Sequence, residues 1–495
     1  MKAHDICMGA AAPSSTDIAD IARRGAKLSL SAEGMRRIRA GRAVVERYVA
    51  ENRVVYGLNT GLGASVDTAL ADADMIAFQK RVPHSHSVGV GPVLPREEVR
   101  AMMAARVSGM AAGGTGASEG IVTGIVAALN AGVHPVIPAW GSIGAADLAP
   151  LAHMSMGLMG LGLAEYGGSI MPAAEALARA GLEPLDIRIK DGHALIATNS
   201  LSTGAACLCL EDADRALSWS LRAIALNFEG FRANLATLDE EGLAARPAMG
   251  QQRAGACLRD LLVGSGLWAP GAARRLQDPL SYRCVPQVWG GFMHALDEAR
   301  QATEIELGSS ADNPVVLADT GRIVTTGNFD MTAFVLSWER LGQAIAHCAT
   351  GTAHRCMKIM SPAVSDLPRF LAAKGQNRGG YAELQKTISA MEAEIRHLAL
   401  PVSLSPIPVS DGIEDQSSMA PRVISKTQDI VRRFHYMVAM ELLLSAEAVE
   451  LRGVTDTLGE GILSVQKAIR DRVPALDEDR ELGSSVMALV DMIMS

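Results

Sequence analysis

Between Ser425 and Arg452 the apolar residues Ile430, Phe434, Met437, Leu444, Ala448 and Leu451 recur at steps of three, four or seven, and no Gly or Pro interrupts them. That spacing lays one apolar stripe along a 3.6-residue period and predicts a single long helix. Similar patterns run from about Thr203 to Asn234, Met293 to Gly308, Ser337 to Met360 and Ala382 to Leu398. Helices of that length must bury their stripes against one another, which predicts a bundle. Alternating Val/Ile/Thr runs that would build a large sheet are scarce. The fold class expected is mainly α, built on a bundle of long helices.

One stretch tests that reading. From Gly120 to Ala164 the only Asp, Glu, Lys or Arg is Asp147, as in a membrane span. Pro135, Pro138, Pro150 and many glycines break it, so no uninterrupted apolar run of about twenty residues survives. It reads as buried core around one carboxylate, which either caps neighbouring backbone amides or belongs to a site.

Composition narrows the partners. The 495 residues carry a net charge of -8 with no dense basic cluster, which argues against nucleic acid or another polyanion and for a small molecule. Seven cysteines without paired spacing fit reduced thiols, and the start "MKAHDICMGAAAPSS" has no long apolar run, so a cytoplasmic location is expected. The "HSH" at 84 to 86 lacks further ligands at metal spacing, and "GTGASEG" at 114 to 120 lacks the Lys-Ser/Thr ending of a phosphate loop. No metal is expected. The Met-rich "MSMGLMG" suits core filling.

Six stretches carry chemistry: "VVYGLNTGLG" at 54 to 63, "HSVGVG" at 86 to 91, "GSIGAADLAP" at 141 to 150, "QDPLSYRCVPQV" at 277 to 288, "DNPVV" with "GNF" at 312 to 329, and "IEDQSSMAP" at 413 to 421. In this order they resemble the histidine and aromatic amino acid ammonia-lyase superfamily. The resemblance implies an all-α homotetramer with active sites shared between subunits. It also implies a division into 1–200, an N-terminal active-site domain, and 201–495, a long-helix bundle domain with a C-terminal active-site loop.

The sequence departs from that superfamily at its centre. The family pattern GSVGASGDLAP contains an Ala-Ser-Gly tripeptide that cyclises into an electrophilic methylidene-imidazolone. Here only Ala145 and Ala146 separate Gly144 from Asp147, and neither has the hydroxyl whose loss creates the methylidene. No cofactor is therefore expected. The family's Asn-Gly-Thr is replaced by Ala197, Thr198 and Asn199, and its usual tyrosine by Leu280, with Tyr282 two places on.

The resemblance keeps the substrate-handling positions. Tyr56 matches the general base, Arg283 the carboxylate clamp, Phe329 the pocket aromatic, Glu414 the glutamate of the histidine-specific branch, and Ser85 with His86 the pair seen in that branch. Asn199 joins the binding candidates. Lys386, in "AELQKTISAM", and Glu414 match the lysine and glutamate of a cofactor-free branch that removes trimethylamine from ergothioneine, a thiohistidine betaine. Tyr56, Lys386 and Glu414 are thus the catalytic candidates, while Phe329, Tyr282 and Tyr381 could face a trimethylammonium. Taken alone, Tyr56 in its Gly-rich flank fits a functional loop better than a packed core tyrosine, whereas Lys386 reads as part of a solvated helix face and Glu414 as part of an acidic surface loop. The resemblance implies trimethylamine elimination; histidine ammonia-lyase activity and a catalytically silent homologue are the alternatives.

Overall fold

The computed structural model describes residues 5–61, 74–372, 378–404 and 406–495. Leu62 and Gly63, which end the first motif, lie outside them. Seven helices matter for the site and its scaffold: α1 (Met75–His86), α2 (Asp191–Ile196), α3 (Ser200–Phe231), α4 (Val285–Leu307), α5 (Thr332–Ile359), α6 (Leu384–Leu398) and α7 (Ala420–Arg452). Each long apolar period in the sequence becomes one of the last five.

The largest boundary difference is at α4, which begins well before Met293. The helix runs through Gly290 and Gly291. A Cβ on Gly290 would stand 2.5 Å from the backbone nitrogen of Gln251, so this glycine marks a close approach of two backbones. Helix α7 also exceeds its stripe: every residue from Met437 to Val449 is buried, the condition of a helix enclosed on all sides.

The chain forms two compact units, residues 1–211 with 299–337 and 401–425, and residues 212–298 with 338–400 and 426–495. The chain passes between these units five times; four of the crossings fall inside α3, α4, α5 and α7, and the fifth, between Leu400 and Pro401, follows α6. Each of those four long helices carries the chain out of one unit and into the other.

The first unit holds an extensive apolar core that includes Met102, Val107, Ile125, Leu151 and Leu195. Its strands are short. Ile6–Met8 pairs parallel with Leu28–Leu30, Val90–Val93 antiparallel with Pro138–Trp140, and Val315–Leu317 antiparallel with Arg322–Val324. The nearly uncharged stretch from 120 to 164 divides between helices Glu119–Ala131 and Leu148–Leu158 and a small three-stranded sheet. Asp191–Phe231 is long and apolar enough to cross a bilayer by composition, and its apolar window is wholly buried. That burial is the mark of a core helix.

In the second unit a buried ion pair organises the bundle. Both Arg355 and Glu441 are fully buried, joined by hydrogen bonds of 2.6 and 2.9 Å, and the guanidinium lies 4.7 Å from the centre of the Trp289 ring. Trp289 donates in turn to Ser220 Oγ at 2.8 Å. Paired and hydrogen-bonded in this way, the charges avoid the cost of lone burial.

Candidate active site

Tyr56 sits in a tight turn fastened on both sides. Val55 and Leu58, its neighbours, are buried in a small cluster with Val44, Val45, Tyr48 and Val316. Asn59 closes the turn, accepting from the Val55 amide at 2.8 Å and donating to the Arg53 carbonyl at 3.0 Å, while Gly57 takes a positive φ of 64° and donates to Thr60 Oγ1 at 3.2 Å. Such a turn needs a residue tolerant of left-handed backbone, which glycine supplies. Burial of the flanking side chains leaves the half-buried tyrosine directed elsewhere, into a cavity of about 340 Å³.

Another wall is the shortened motif. Gly144 and Ala146 both have positive φ, 77° and 58°, and pair across Ala145 as an isolated bridge. The turn is pinned from the C-terminal segment, where Ser418 Oγ donates to the Gly144 carbonyl at 3.0 Å and the Met419 amide to Ile143 at 2.8 Å. Ala145 and Ala146 line the cavity with methyl groups. An alanine at positive φ costs about 1 to 2 kcal/mol, so these contacts hold a strained conformation.

Asp147 supports this wall from behind. Its carboxylate, fully buried, accepts from the Ser202 amide at 2.8 Å, from Ser202 Oγ at 3.3 Å and from Ser142 Oγ at 3.0 Å. It thereby caps the first turn of α3, whose amides lack helical partners. Burial pushes its carboxyl up to about 6, against the opposing pull of these hydrogen bonds.

A third wall is α2, which brings His193 into the cavity. This helix is pressed against α1: a Cβ on Gly192 would stand 1.9 Å from the Gln79 carbonyl oxygen. The fully buried Gln79 side chain accepts from the His193 amide at 3.0 Å and donates to the Gly57 carbonyl at 2.8 Å. One amide thus ties the histidine to the turn that carries the tyrosine. The two rings meet edge to face with centres 5.8 Å apart.

Asn313, Thr325, Phe329, Ile413 and Glu414 complete the lining. Asn313 is held by the Thr326 amide donating to its Oδ1 at 2.9 Å, and Glu414 by Ser410 Oγ at 2.8 Å. Behind Asn313 lies a buried charge cluster. Arg106 donates to Asp312 at 3.0 Å, and Lys190, itself buried, is pushed down to about 8 by burial against the pull of Asp312. Burial, reinforced by the positive charges of Lys190 and Arg106, drives the His193 imidazole well below its ordinary value. His193 is therefore neutral near pH 7.

Of the residues singled out from sequence, the structure brings Tyr56, Phe329 and Glu414 together in this cavity. Asn199 is placed differently. It is buried beside the cavity and donates its side-chain amide to the Phe329 carbonyl at 2.6 Å, so it holds the aromatic residue. Ser85 and His86 end α1 without lining the cavity, and His86 Nδ1 lies 2.8 Å from the Val82 carbonyl of its own helix. His84 Nδ1 is similarly engaged with the Lys80 carbonyl at 2.9 Å.

Arg283 and Lys386 belong to the second unit. Arg283 lines a polar groove there with Thr237, Asp239 and Gln277, donating to Gln277 Oε1 at 3.1 Å. The Lys386 side chain, on α6, is 78% exposed and paired with Glu383 just before that helix. Tyr282 and Tyr381 require a correction: neither offers a ring face to a ligand. Tyr282 is 1% exposed, stacked on Phe231 at 4.0 Å and donating to Asn227 at 2.9 Å, while Tyr381 is fully buried and donates to Glu447 at 3.1 Å. Two packed phenols with satisfied hydroxyls are core residues.

Sequence reasoning missed His193, Asn313 and Thr325. His193 and Asn313 lie inside the stretches "KDGHALIATNS" and "DNPVV", where His193 is the one polar side chain between Asp191 and Thr198. A polar residue in so apolar a run was the available signal.

The residues present do not fit a methylidene-imidazolone. The turn offers two methyls and no side-chain hydroxyl at 145 and 146, and Ala197 adds a third methyl nearby. What the cavity offers is an apolar shell with a phenol, a carboxylate, a neutral imidazole, an amide and a hydroxyl. Such a set can bind a heteroaromatic ring and move a proton, with the phenol or carboxylate as its base.

Comparison with known proteins agrees with this architecture. Residues 14–471 match the aromatic amino acid lyase family. Histidine ammonia-lyase of Symbiobacterium thermophilum is 35% identical over 96% of the chain and 94% of that protein, and histidine ammonia-lyase of Treponema denticola is 33% identical over 100% and 97%. Among solved structures, the ergothioneine-degrading ergothionase of Treponema denticola, in complex with desmethyl-ergothioneine sulfonic acid, superposes with a TM-score of 0.94 at 28% identity, covering 99% of this chain and 98% of that one. The histidine ammonia-lyase of Trypanosoma cruzi gives 0.91 at 27%, covering 99% and 93%. A helical scaffold, a cavity built around Tyr56 and Glu414, and a family match over most of its length place this chain in the aromatic amino acid lyase family.

Proposed function

We propose that this lyase removes trimethylamine from ergothioneine, giving thiourocanate, without an electrophilic prosthetic group. The observation that carries the reading is the Gly144-Ala145-Ala146 turn: its two alanines line one cavity with Tyr56 and Glu414 yet bear no hydroxyl from which the electrophile could be made. An ammonia-lyase needs that electrophile because ammonia leaves poorly from an amino acid whose β-proton is barely acidic. A quaternary trimethylammonium needs no such help. It leaves as a neutral amine, and its fixed charge acidifies the neighbouring carbon.

In this reading the Tyr56 oxygen takes the β-proton, the freed electron pair forms the Cα–Cβ double bond, and the Cα–N bond breaks with its pair on trimethylamine. Glu414 engages the ring during the charge shift. Phe329 supplies an aromatic face to the cation, worth up to about 2 kcal/mol once water is excluded. Four copies of the chain assemble, and Arg283 and Lys386 serve the cavity of a neighbouring copy. Supporting this, Leu276 and Leu280 near Arg283 are 90% and 63% exposed, an apolar surface that another copy would cover. The cytoplasmic location remains part of the same proposal.

Histidine ammonia-lyase activity is the competing reading, favoured by the names of the relatives at 33 to 35% identity. A repair experiment separates the two. Ala146→Ser with a glycine inserted before Asp147 restores the tripeptide, and it is expected to yield no ammonia from histidine, because Ala197 and Leu280 still lack the polar groups that accompany the electrophile. Robust ammonia release from this variant would contradict the reading.

A further inference from the structure

We infer that His193 is a substrate-recognition residue, its neutral imidazole exchanging a hydrogen bond with a ring nitrogen of the ligand. The inference rests on the reading above only in taking the ligand to carry an imidazole-type ring. It starts from the composition of the cavity wall, where Ala145, Ala146, Leu148, Ala197, Phe329 and Ile413 offer no polar side-chain atom. A heterocycle with two ring nitrogens cannot be satisfied on such a surface. His193 is one of the few groups there that can donate or accept.

Its state fits that role. The side chain is 5% exposed, and its buried Nδ1 has no hydrogen-bond partner among the described residues. A buried unpaired polar atom costs about 1 to 3 kcal/mol, a cost a ligand can relieve. A neutral imidazole carries one donor and one acceptor, which complements a ring bearing N–H groups. A protonated one would repel a cationic substrate.

Position is fixed independently of any ligand. Gln79 holds the His193 amide and the Gly57 carbonyl at once, and the ring meets Tyr56 at 5.8 Å between centres. A ring bound against His193 is thereby registered against the turn that carries the base. Registering a reactant against its base is how positioning contributes to rate.

The test compares wild type with His193→Phe, which keeps the ring shape without its nitrogens, and with His193→Gln, which restores hydrogen bonding. Calorimetric titration with urocanate, thiourocanate and cinnamate supplies the readout. For His193→Phe, both imidazole ligands are expected to bind about tenfold more weakly, the loss of roughly one hydrogen bond. Cinnamate, which has no ring nitrogen, should bind within about twofold of its wild-type affinity, and His193→Gln should recover part of the loss. Unchanged affinity for both urocanates, or an equal loss for cinnamate, overturns the inference. Should His193→Phe fail to fold, His193→Leu repeats the comparison on the same criteria. Wild-type protein that binds the urocanates but releases no trimethylamine from ergothioneine overturns the proposed reaction alone; wild-type protein that binds neither overturns both.

Discussion

Tyr56→Phe is expected to lower trimethylamine release from ergothioneine by about two to four orders of magnitude while leaving ergothioneine binding nearly intact. The geometry explains why the loss should fall on kcat. Val55, Leu58, Asn59 and Gly57 anchor the turn by burial and hydrogen bonds of their own, so removing one oxygen should leave the loop in place. The Phe ring still meets His193 edge to face and still fills the wall. Only the atom that receives the proton is gone. Steady-state rates with calorimetric affinities check this, and a comparable loss in both would show that the hydroxyl is chiefly a binding contact.

A second large effect is expected on stability. Arg106→Met removes the hydrogen-bonded partner of Asp312 in a place where both side chains are 1% exposed. The carboxylate would remain buried, with Lys190 as the nearby compensating charge. Breaking one side of a buried pair typically costs about 3 to 5 kcal/mol, and the partial compensation by Lys190 puts the expected loss at the lower end of that range. A lowered urea midpoint is the readout. Arg106→Met combined with Asp312→Leu should lose less than the single change, since no orphaned charge is left. The cavity would feel it, because Asp312 adjoins Asn313 in its wall. A neutral single substitution would mean that the pair contributes nothing to the site's support.

The long helices were legible because periodicity reports one face of an element at a time. It foresaw α3 to α7, and began α4 at Met293, eight residues after its true start, because the apolar period does not extend across Gly290, which is there for a close backbone approach. Within the site, Tyr56, Phe329 and Glu414 were readable from motifs, and the cavity unites them. Tyr282 and Tyr381 were not, because a phenol that stacks in a core and one that faces a ligand look alike until their neighbours are known. Lys386 showed the reverse: its amphipathic helix foretold the exposed position it occupies within its own chain. His193 and Gln79 escaped notice because their importance is a relation between α1, α2 and the Tyr56 turn, three segments distant in sequence.

Which amine leaves distinguishes the two reactions. Incubating wild-type protein with an equimolar mixture of ergothioneine and histidine, and quantifying trimethylamine and ammonia in the same sample, reads this directly. Trimethylamine released in step with thiourocanate, with histidine recovered unchanged, is the predicted result; ammonia and urocanate with ergothioneine recovered intact would contradict it.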